Sequence, residues 1–417
     1  MSEEDNYYPL LEDINFNYKL QNHPEFYKYK TESDNYILEV MKQKASEKCN
    51  NSGGYIFKNI QMFISTFLSL NTPYNGVLLY HGVGVGKTCT SILISDNFKN
   101  YVKKHKKKII ILTKPTVKDG FRNEIFKFTN DNVDKNQFIC TSSEYSNEYE
   151  DFIKNNKDLD NKKINEFTSG IINDTYEIYG YLEFVNKYED IIKSGNNEFN
   201  QDKINEIFSN CVFIIDEIHN LREENEGEES DESIKEKKSS VKKFAETKRS
   251  RNIIENIIRN LIEPIKLILL SATPMYDKYE EIDFIINLLL LNDKKKSLLD
   301  RRTINSYVNN LDDTSKQSII EKTTGYISYI KGNDPHIFPL ILYPKNNSKI
   351  IYTTPNGNIN SDKINTVLCT MNTIQKEIYS NKGDTHTKRK KYSNVVFPEN
   401  KTFSDLFTLI DKKGSNK

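Results

Sequence analysis

Four short, strongly apolar runs stand out at wide intervals along the chain: residues 77–80 (VLLY), 109–112 (IIIL), 211–215 (CVFII) and 265–270 (IKLILL). Runs of this length, bounded by polar and turn residues, predict strands buried on both faces, as in a parallel sheet. The stretches between them carry helical spacing. In residues 53–70, Ile56, Ile60, Phe63, Ile64, Phe67 and Leu68 fall on one stripe, which predicts an amphipathic helix. A further helix is predicted over 36–48. Another is predicted over 252–262 (NIIENIIRNLI), closed by Pro264, because proline cannot continue a helix. Strands alternating with helices predict an α/β fold, a mainly parallel sheet flanked by helices.

Two regions depart from this pattern. Residues 222–250 are charged, rich in Ser, Lys and Glu and poor in apolar positions. They are expected to form a mobile charged insertion. From about 297 the chain becomes Lys-, Asn- and Ser-rich, with no second set of apolar runs. The expected organisation is an N-terminal extension (1–52), an α/β domain (53–296) and a helical linker region (297–417). No internal repeat is visible.

Composition narrows the class. The chain has 417 residues, with 59 Lys+Arg against 59 Asp+Glu. Zero net charge excludes a histone-like or acidic-tail protein but leaves room for a local basic cleft. The 22 Phe and 25 Tyr are too many for a wholly disordered chain. Absent Trp, sparse Gly and Pro and abundant Lys, Asn, Ile and Tyr follow A/T-rich codons. The Lys and Asn excess therefore carries little functional information. Cys49, Cys89, Cys140, Cys211 and Cys369 show no CxxC spacing, which suits a reducing compartment and argues against a disulfide framework or zinc site. The acidic start is unlike a signal peptide. The longest mainly apolar stretch, 284–291, interrupted by Asn287, is far short of the ~20 residues that span a bilayer. An intracellular protein with no membrane partner is expected.

Candidate chemistry begins at residues 76–94, GVLLYHGVGVGKTCTSILI. A strand feeds a glycine-rich turn (Gly82, Gly84, Gly86) and then a helix. Such a turn folds tightly enough for backbone N–H groups to face phosphate oxygens, and the helix N-terminus favours anions. In a P-loop, Lys87 contacts the β- and γ-phosphates and the Thr88 hydroxyl ligates Mg²⁺. The strict pattern wants Gly at position 81, where this chain has His81; the match is to the looser GxGKT. In residues 211–221 (CVFIIDEIHNL) an apolar strand ends in Asp216 and Glu217, on the same sheet edge as the P-loop. Asp216 is placed to hold Mg²⁺ through water, and Glu217 to polarise an attacking water. In residues 267–275 (LILLSATPM) another strand ends in Ser271 and Thr273, hydroxyls able to bond the acidic pair or a γ-phosphate.

GxGKT, DExH and SAT in this order resemble motifs I, II and III of superfamily 2 helicases and translocases. The resemblance implies a RecA-like P-loop NTPase lobe that binds ATP and Mg²⁺ through Lys87, Thr88 and Asp216, with Glu217 as catalytic base. It implies that His219, Ser271 and Thr273 couple nucleotide state to nucleic-acid binding. Gln61 then occupies the place of an adenine-reading glutamine, though an exposed helix glutamine is equally compatible. Lys114, Pro115 and Thr116, with Phe121 and Glu124 beyond them, look like the motif Ia region, where a bound DNA or RNA strand meets the lobe. The basic run 103–108 (KKHKKK) reads as solvated surface. Residues 176–184 (YEIYGYLEF) look like motif Ib, its aromatics serving either the core or base stacking.

The flanking text is narrower still. LLYHGVGVGKT, YPLLEDINFNYKLQNHPEFYKYK and TTGYISYIKGNDPHIFPLILYP are similar to segments of helicase-like transcription factors of nucleocytoplasmic large DNA viruses. That group includes the poxvirus early transcription factor small subunit and nucleoside triphosphatase I. The resemblance implies a role in viral transcription, beside other transcription proteins. In such proteins ATP lies between two lobes, the second supplying an arginine finger. No QxxGRxxR-like segment follows residue 296; the basic run KRKK (388–391) has no Gln or Gly in place. The expectation is a first lobe that needs a separate second lobe for full turnover.

Overall fold

The computed structural model describes residues 7–30, 57–126, 140–141, 144–156, 160–221, 234–275, 278–330, 351–354, 357–360 and 373–382. The helix expected over 36–48 lies outside them. All four predicted strands are present: β1 (Gly76–His81), β2 (Ile109–Thr113), β4 (Val212–Ile215) and β5 (Lys266–Ser271). They are joined by β3 (Tyr176–Gly180) and β6 (Ile327–Ile330). The spatial order is β3-β2-β4-β5-β1-β6, and every pairing is parallel.

Alternation along these strands builds two cores. Leu78, Ile110, Leu112, Phe213, Ile215, Leu267 and Leu269 face one side. Val77, Leu79, Ile109, Ile111, Val212, Ile214, Ile268 and Leu270 face the other. The helices Tyr181–Ile192, Gln201–Phe208 and Ile282–Asn292 contribute to the first core. The helices Asn59–Phe67, Lys87–Asp96, Lys99–Lys104 and Lys118–Ile125 contribute to the second. Two-sided burial is why β1, β2, β4 and β5 read as apolar runs. The helix Ile282–Asn292 contains the mainly apolar stretch 284–291 and is buried almost all round. Among the described residues, no helix is long and apolar enough to cross a membrane.

Several expectations are corrected. The stripe in 53–70 becomes the shorter helix Asn59–Phe67, whose buried face holds Gln61, Ile64, Ser65 and Phe67 and leaves Ile60 exposed. Residues 234–250, expected to be mobile, begin the helix Ile234–Asn260. The segment has no Gly or Pro and abundant Lys, a good helix former. The buried residues Ile253, Ile254, Ile257 and Ile258 anchor its end. Residues 222–233 lie outside the description.

The α/β domain also exceeds the expected 53–296. Past 296 come the helices Arg301–Asn310 and Asp313–Thr323, and β6 then joins the main sheet beside β1. At the other end, Phe16, Leu20 and Phe26 are buried in the second core, and the Tyr74 hydroxyl donates to the Pro9 carbonyl at 2.9 Å. Residues 7–30 and 278–330 thus belong to the same compact unit as the sheet. A separate unit contains an antiparallel hairpin, β7 (Ile351–Thr354) and β8 (Gly357–Asn360), and the helix Thr373–Lys382, so the C-terminal region is not purely helical.

The cysteines are not all unpaired. Cys89 and Cys140 form a disulfide across a separation of 51 residues, while Cys211 is free and buried. Sequence spacing cannot show a pair that only tertiary packing brings together.

Candidate active site

All six parallel strands end at one edge of the sheet, and all the predicted site residues but Gln61 lie at or just beyond the ends of β1, β2, β4 and β5. His81 is the last residue of β1, fully buried, with Nε2 2.9 Å from the Ser328 hydroxyl on β6. The place where the strict pattern wants glycine is therefore still strand, and the tight turn starts one residue later. Gly84 and Gly86 take φ of 77° and 89°, values reserved for glycine in practice. Gly86 caps the helix that opens on Lys87. Gly82 donates to the Ile330 carbonyl at 3.0 Å, fastening the turn to β6.

Lys87 folds back into this turn. Its Nζ donates to the carbonyls of His81 at 2.9 Å and Gly82 at 3.1 Å. Burial lowers its pKa, opposed by the negative charges of Glu217 and Asp216. The three charged groups therefore share one electrostatic environment. Burial, helped by the Lys87 charge, pushes His81 down to about 4, so His81 is neutral at pH 7.

Asp216 follows β4 and is buried. Its Oδ2 accepts a hydrogen bond from the Thr113 hydroxyl at 2.8 Å, its N–H donates to the Leu112 carbonyl at 2.9 Å, and its carbonyl accepts from the Tyr181 hydroxyl. Burial raises the Asp216 pKa, against the pull of the Thr113 bond. Glu217 has φ of 52°, an uncommon value for a non-glycine residue that turns the chain sharply out of the strand. Asn220 holds that turn, its side-chain amide donating to the Glu217 carbonyl at 2.7 Å. His219 Nδ1 lies 3.2 Å from Glu217 Oε2 and 2.9 Å from the Ser271 hydroxyl. Ser271 Oγ accepts from the Thr273 N–H at 3.1 Å. Glu217, His219, Ser271 and Thr273 thus form one connected chain across two strand ends.

Other predicted residues are placed differently. Gln61 is neither exposed nor free. It is fully buried, donates to Thr90 Oγ1 at 3.0 Å and accepts from the Lys58 N–H at 2.9 Å. Thr90 Oγ1 in turn donates to the Gly86 carbonyl at 2.9 Å. Gln61 therefore braces the phosphate-loop helix. Lys114, Pro115 and Thr116 are exposed at the exit of β2, on the active edge, in a short turn over Pro115–Val117. Phe121 is core. Lys107 and Lys108 precede β2, so they sit at the opposite edge. They donate to carbonyls in the last turns of the helices Gln201–Phe208 and Asn161–Thr175, a stabilising use of cations. In 176–184, Tyr176 and Phe184 are core, while Tyr181 reaches the Asp216 carbonyl.

Thr113, Tyr181 and Thr90 were missed by the sequence reading. Only Thr113 carried a usable signal: a hydroxyl closing an otherwise apolar strand beside the one that ends in Asp216.

A parallel sheet with a GxGKT turn on one strand and an Asp-Glu pair two strands away gives the chain a RecA-like P-loop fold of the superfamily 2 helicase kind. The sequence profile of the family described as type III restriction enzyme, res subunit (ResIII) matches residues 57–276, and the chain belongs to this family. Its relatives occur in large DNA viruses. One is an Acanthamoeba polyphaga mimivirus protein provisionally named ATP-dependent RNA helicase R563. It is 28% identical over 331 residues, covering 76% of this chain and 48% of the relative. A provisionally named helicase of Invertebrate iridescent virus 3 is 30% identical over 267 residues, 60% of this chain and 22% of the relative. Another from Frog virus 3 is 26% identical over 277 residues, 66% and 24%. The chain spans about half the length of the mimivirus relative and about a quarter or less of the other two.

Proposed function

We propose that this chain is the ATP-binding lobe of a viral helicase or translocase that couples ATP hydrolysis to movement on DNA or RNA, in the service of viral transcription. The observation that carries the reading is the connected chain Glu217–His219–Ser271–Thr273 beside Lys87 and Asp216. It links a candidate hydrolytic base to the strand end that follows it.

The residues fit an ATP–Mg²⁺ complex. Thr88 and Asp216 offer hard oxygen donors of the kind Mg²⁺ takes, and a buried carboxylate whose pKa is raised gains from a cation nearby. When bound, Mg²⁺ neutralises charge on the β- and γ-phosphates. Lys87 exchanges the carbonyls of His81 and Gly82 for phosphate oxygens. The N–H groups at the start of the helix Lys87–Asp96 face the same anion. The hydrogen bond from Thr113 favours the ionised form of Asp216, against its burial. Glu217 accepts a proton from the attacking water while His219 and Ser271 fix its carboxylate. As the γ-phosphate leaves, Glu217 shifts, and the shift passes through His219 to Ser271 and Thr273. Lys114 and Thr116 lie exposed on the same edge and suit phosphates of a bound strand. A second lobe completes the site with a cation for the transition state.

The test is ATP hydrolysis by the full chain, alone and with single-stranded DNA, RNA and a candidate second lobe. Slow basal turnover that rises with a polynucleotide and the second lobe supports the reading. ATP binding without turnover under every combination overturns it in favour of an interaction module.

A further inference from the structure

The Cys89–Cys140 pair lies where nothing in the hydrolytic cycle requires it. Cys89 directly follows Thr88, in the first turn of the phosphate-loop helix. Cys140 is fastened to the end of the helix Lys118–Ile125: its N–H donates to the Glu124 carbonyl at 3.0 Å, and the Thr141 hydroxyl donates to the Ile125 carbonyl at 2.9 Å. The disulfide therefore ties the start of the nucleotide helix to the element that follows Lys114, Pro115 and Thr116. In this disulfide-bonded state Lys87 is turned onto the carbonyls of its own loop. Cys89 and Cys140 are almost wholly buried, and Glu124 Oε2 lies 3.1 Å from Cys140 Sγ.

We propose that Cys89 and Cys140 form a thiol–disulfide latch on the nucleotide site: bonded, it holds the first turn of the phosphate-loop helix against the Lys118–Ile125 segment and weakens nucleotide binding; reduced, it releases that turn. The inference rests on the nucleotide-binding reading above. ATP binding requires Lys87 and Thr88 to turn towards the phosphates, and a covalent tether on the adjacent residue resists that movement.

The chemistry balances with a peroxide as oxidant, small enough to reach a buried pair. Once deprotonated, the Cys89 sulfur attacks a peroxide oxygen. The O–O bond breaks, leaving a sulfenic acid on Cys89 and a hydroxide that is protonated to water. Glu124 accepts the Cys140 proton, the Cys140 sulfur attacks the Cys89 sulfur, and the S–O bond breaks with loss of a second water. Both thiols are oxidised and one hydrogen peroxide is reduced. A dithiol reductant reverses the step. Cys211, buried and pushed up to about 11 by that burial, is a poor competitor.

The test uses the full chain, reduced with dithiothreitol or oxidised with hydrogen peroxide that is then removed by catalase. Peptide mass mapping reports the disulfide, and a fluorescent ATP analogue reports affinity. The expected result is a Cys89–Cys140 cross-link and affinity about tenfold weaker, within the usual range of coupled sites, restored by dithiothreitol. Linkage demands the reciprocal effect: saturating ATP makes the pair about tenfold harder to oxidise at equilibrium. Cys140→Ser should bind like the reduced chain and form no cross-link with peroxide; dithiothreitol reversal on the unmodified chain carries the test if that variant does not fold. Absence of the cross-link, or a mapped cross-link with unchanged affinity, overturns the latch while leaving the nucleotide site standing. No nucleotide binding in either state overturns the nucleotide site itself, and the latch with it.

Discussion

Thr113→Val changes one hydroxyl for a methyl group and keeps the shape of a fully buried side chain at the end of β2. The lost group is the donor to Asp216 Oδ2 at 2.8 Å. A hydrogen bond to a charged group is worth about 1.5–3 kcal/mol, and a buried acceptor left without it loses the larger share of that. Burial already raises the Asp216 pKa, and the Thr113 bond works against that rise. Without the bond the folded-state pKa rises further. The penalty is therefore largest where the carboxyl is ionised, well above its folded pKa, and fades as the pH falls through that pKa. Chemical denaturation at pH 7.5 should show a loss of about 2 kcal/mol, smaller in acid. Asp216 is also the proposed Mg²⁺ ligand, and loss of an outer partner of a ligand typically costs about 10–100-fold in metal affinity. Titrating Mg²⁺ against a fluorescent ATP analogue should show a shift of that order. Unchanged stability together with an unchanged Mg²⁺ requirement would refute the role of Thr113.

Lys87→Ala should weaken ATP binding at least about tenfold, since it removes the cation that meets the phosphates, whereas Glu217→Gln should spare binding and lower turnover by about 10²–10⁴-fold; equal effects of the two on binding would contradict the division of roles. The His81 pKa falls from 6.5 to about 4 in the folded chain, so the unfolded chain binds the extra proton between these values. Stability should fall as the pH drops from about 6.5 towards 4, by up to about 3 kcal/mol; His81→Gln should flatten that slope in thermal melts. Gln61→Ala removes one buried and one part-buried hydrogen bond and should lower stability by about 2 kcal/mol. It should leave the preference for ATP over GTP unchanged if Gln61 only braces the helix, and a lost preference would restore adenine reading.

The parts that sequence made legible are those governed by local rules. The strands β1, β2, β4 and β5 are apolar because both faces are buried, and the glycine turn and the carboxylate pair stand at strand ends. β3 and β6 were not legible as strands. β3 is interrupted by Glu177 and closes on Gly180, and β6 is an edge strand whose residues are partly exposed; neither shows the continuous apolar run of a central strand. The helix Ile234–Asn260 begins in text with little amphipathic pattern, so composition suggested mobility where helix propensity and the anchored apolar end prevail. Gln61 and Thr113 took their meaning from contacts 29 and 103 residues away, and Cys89 from a partner 51 residues away. Pairings of that kind are properties of the fold.

Equilibrium binding of ATP to the full chain, with and without Mg²⁺, and to Lys87→Ala and Asp216→Asn, bears most directly on the proposed site. Saturable, Mg²⁺-dependent binding in the micromolar to millimolar range typical of enzyme substrates, about 1 μM–1 mM, with clear weakening in both variants, is the expected result. No binding at millimolar ATP, or binding indifferent to Mg²⁺, Lys87 and Asp216, would contradict the assignment of this sheet edge as a nucleotide site.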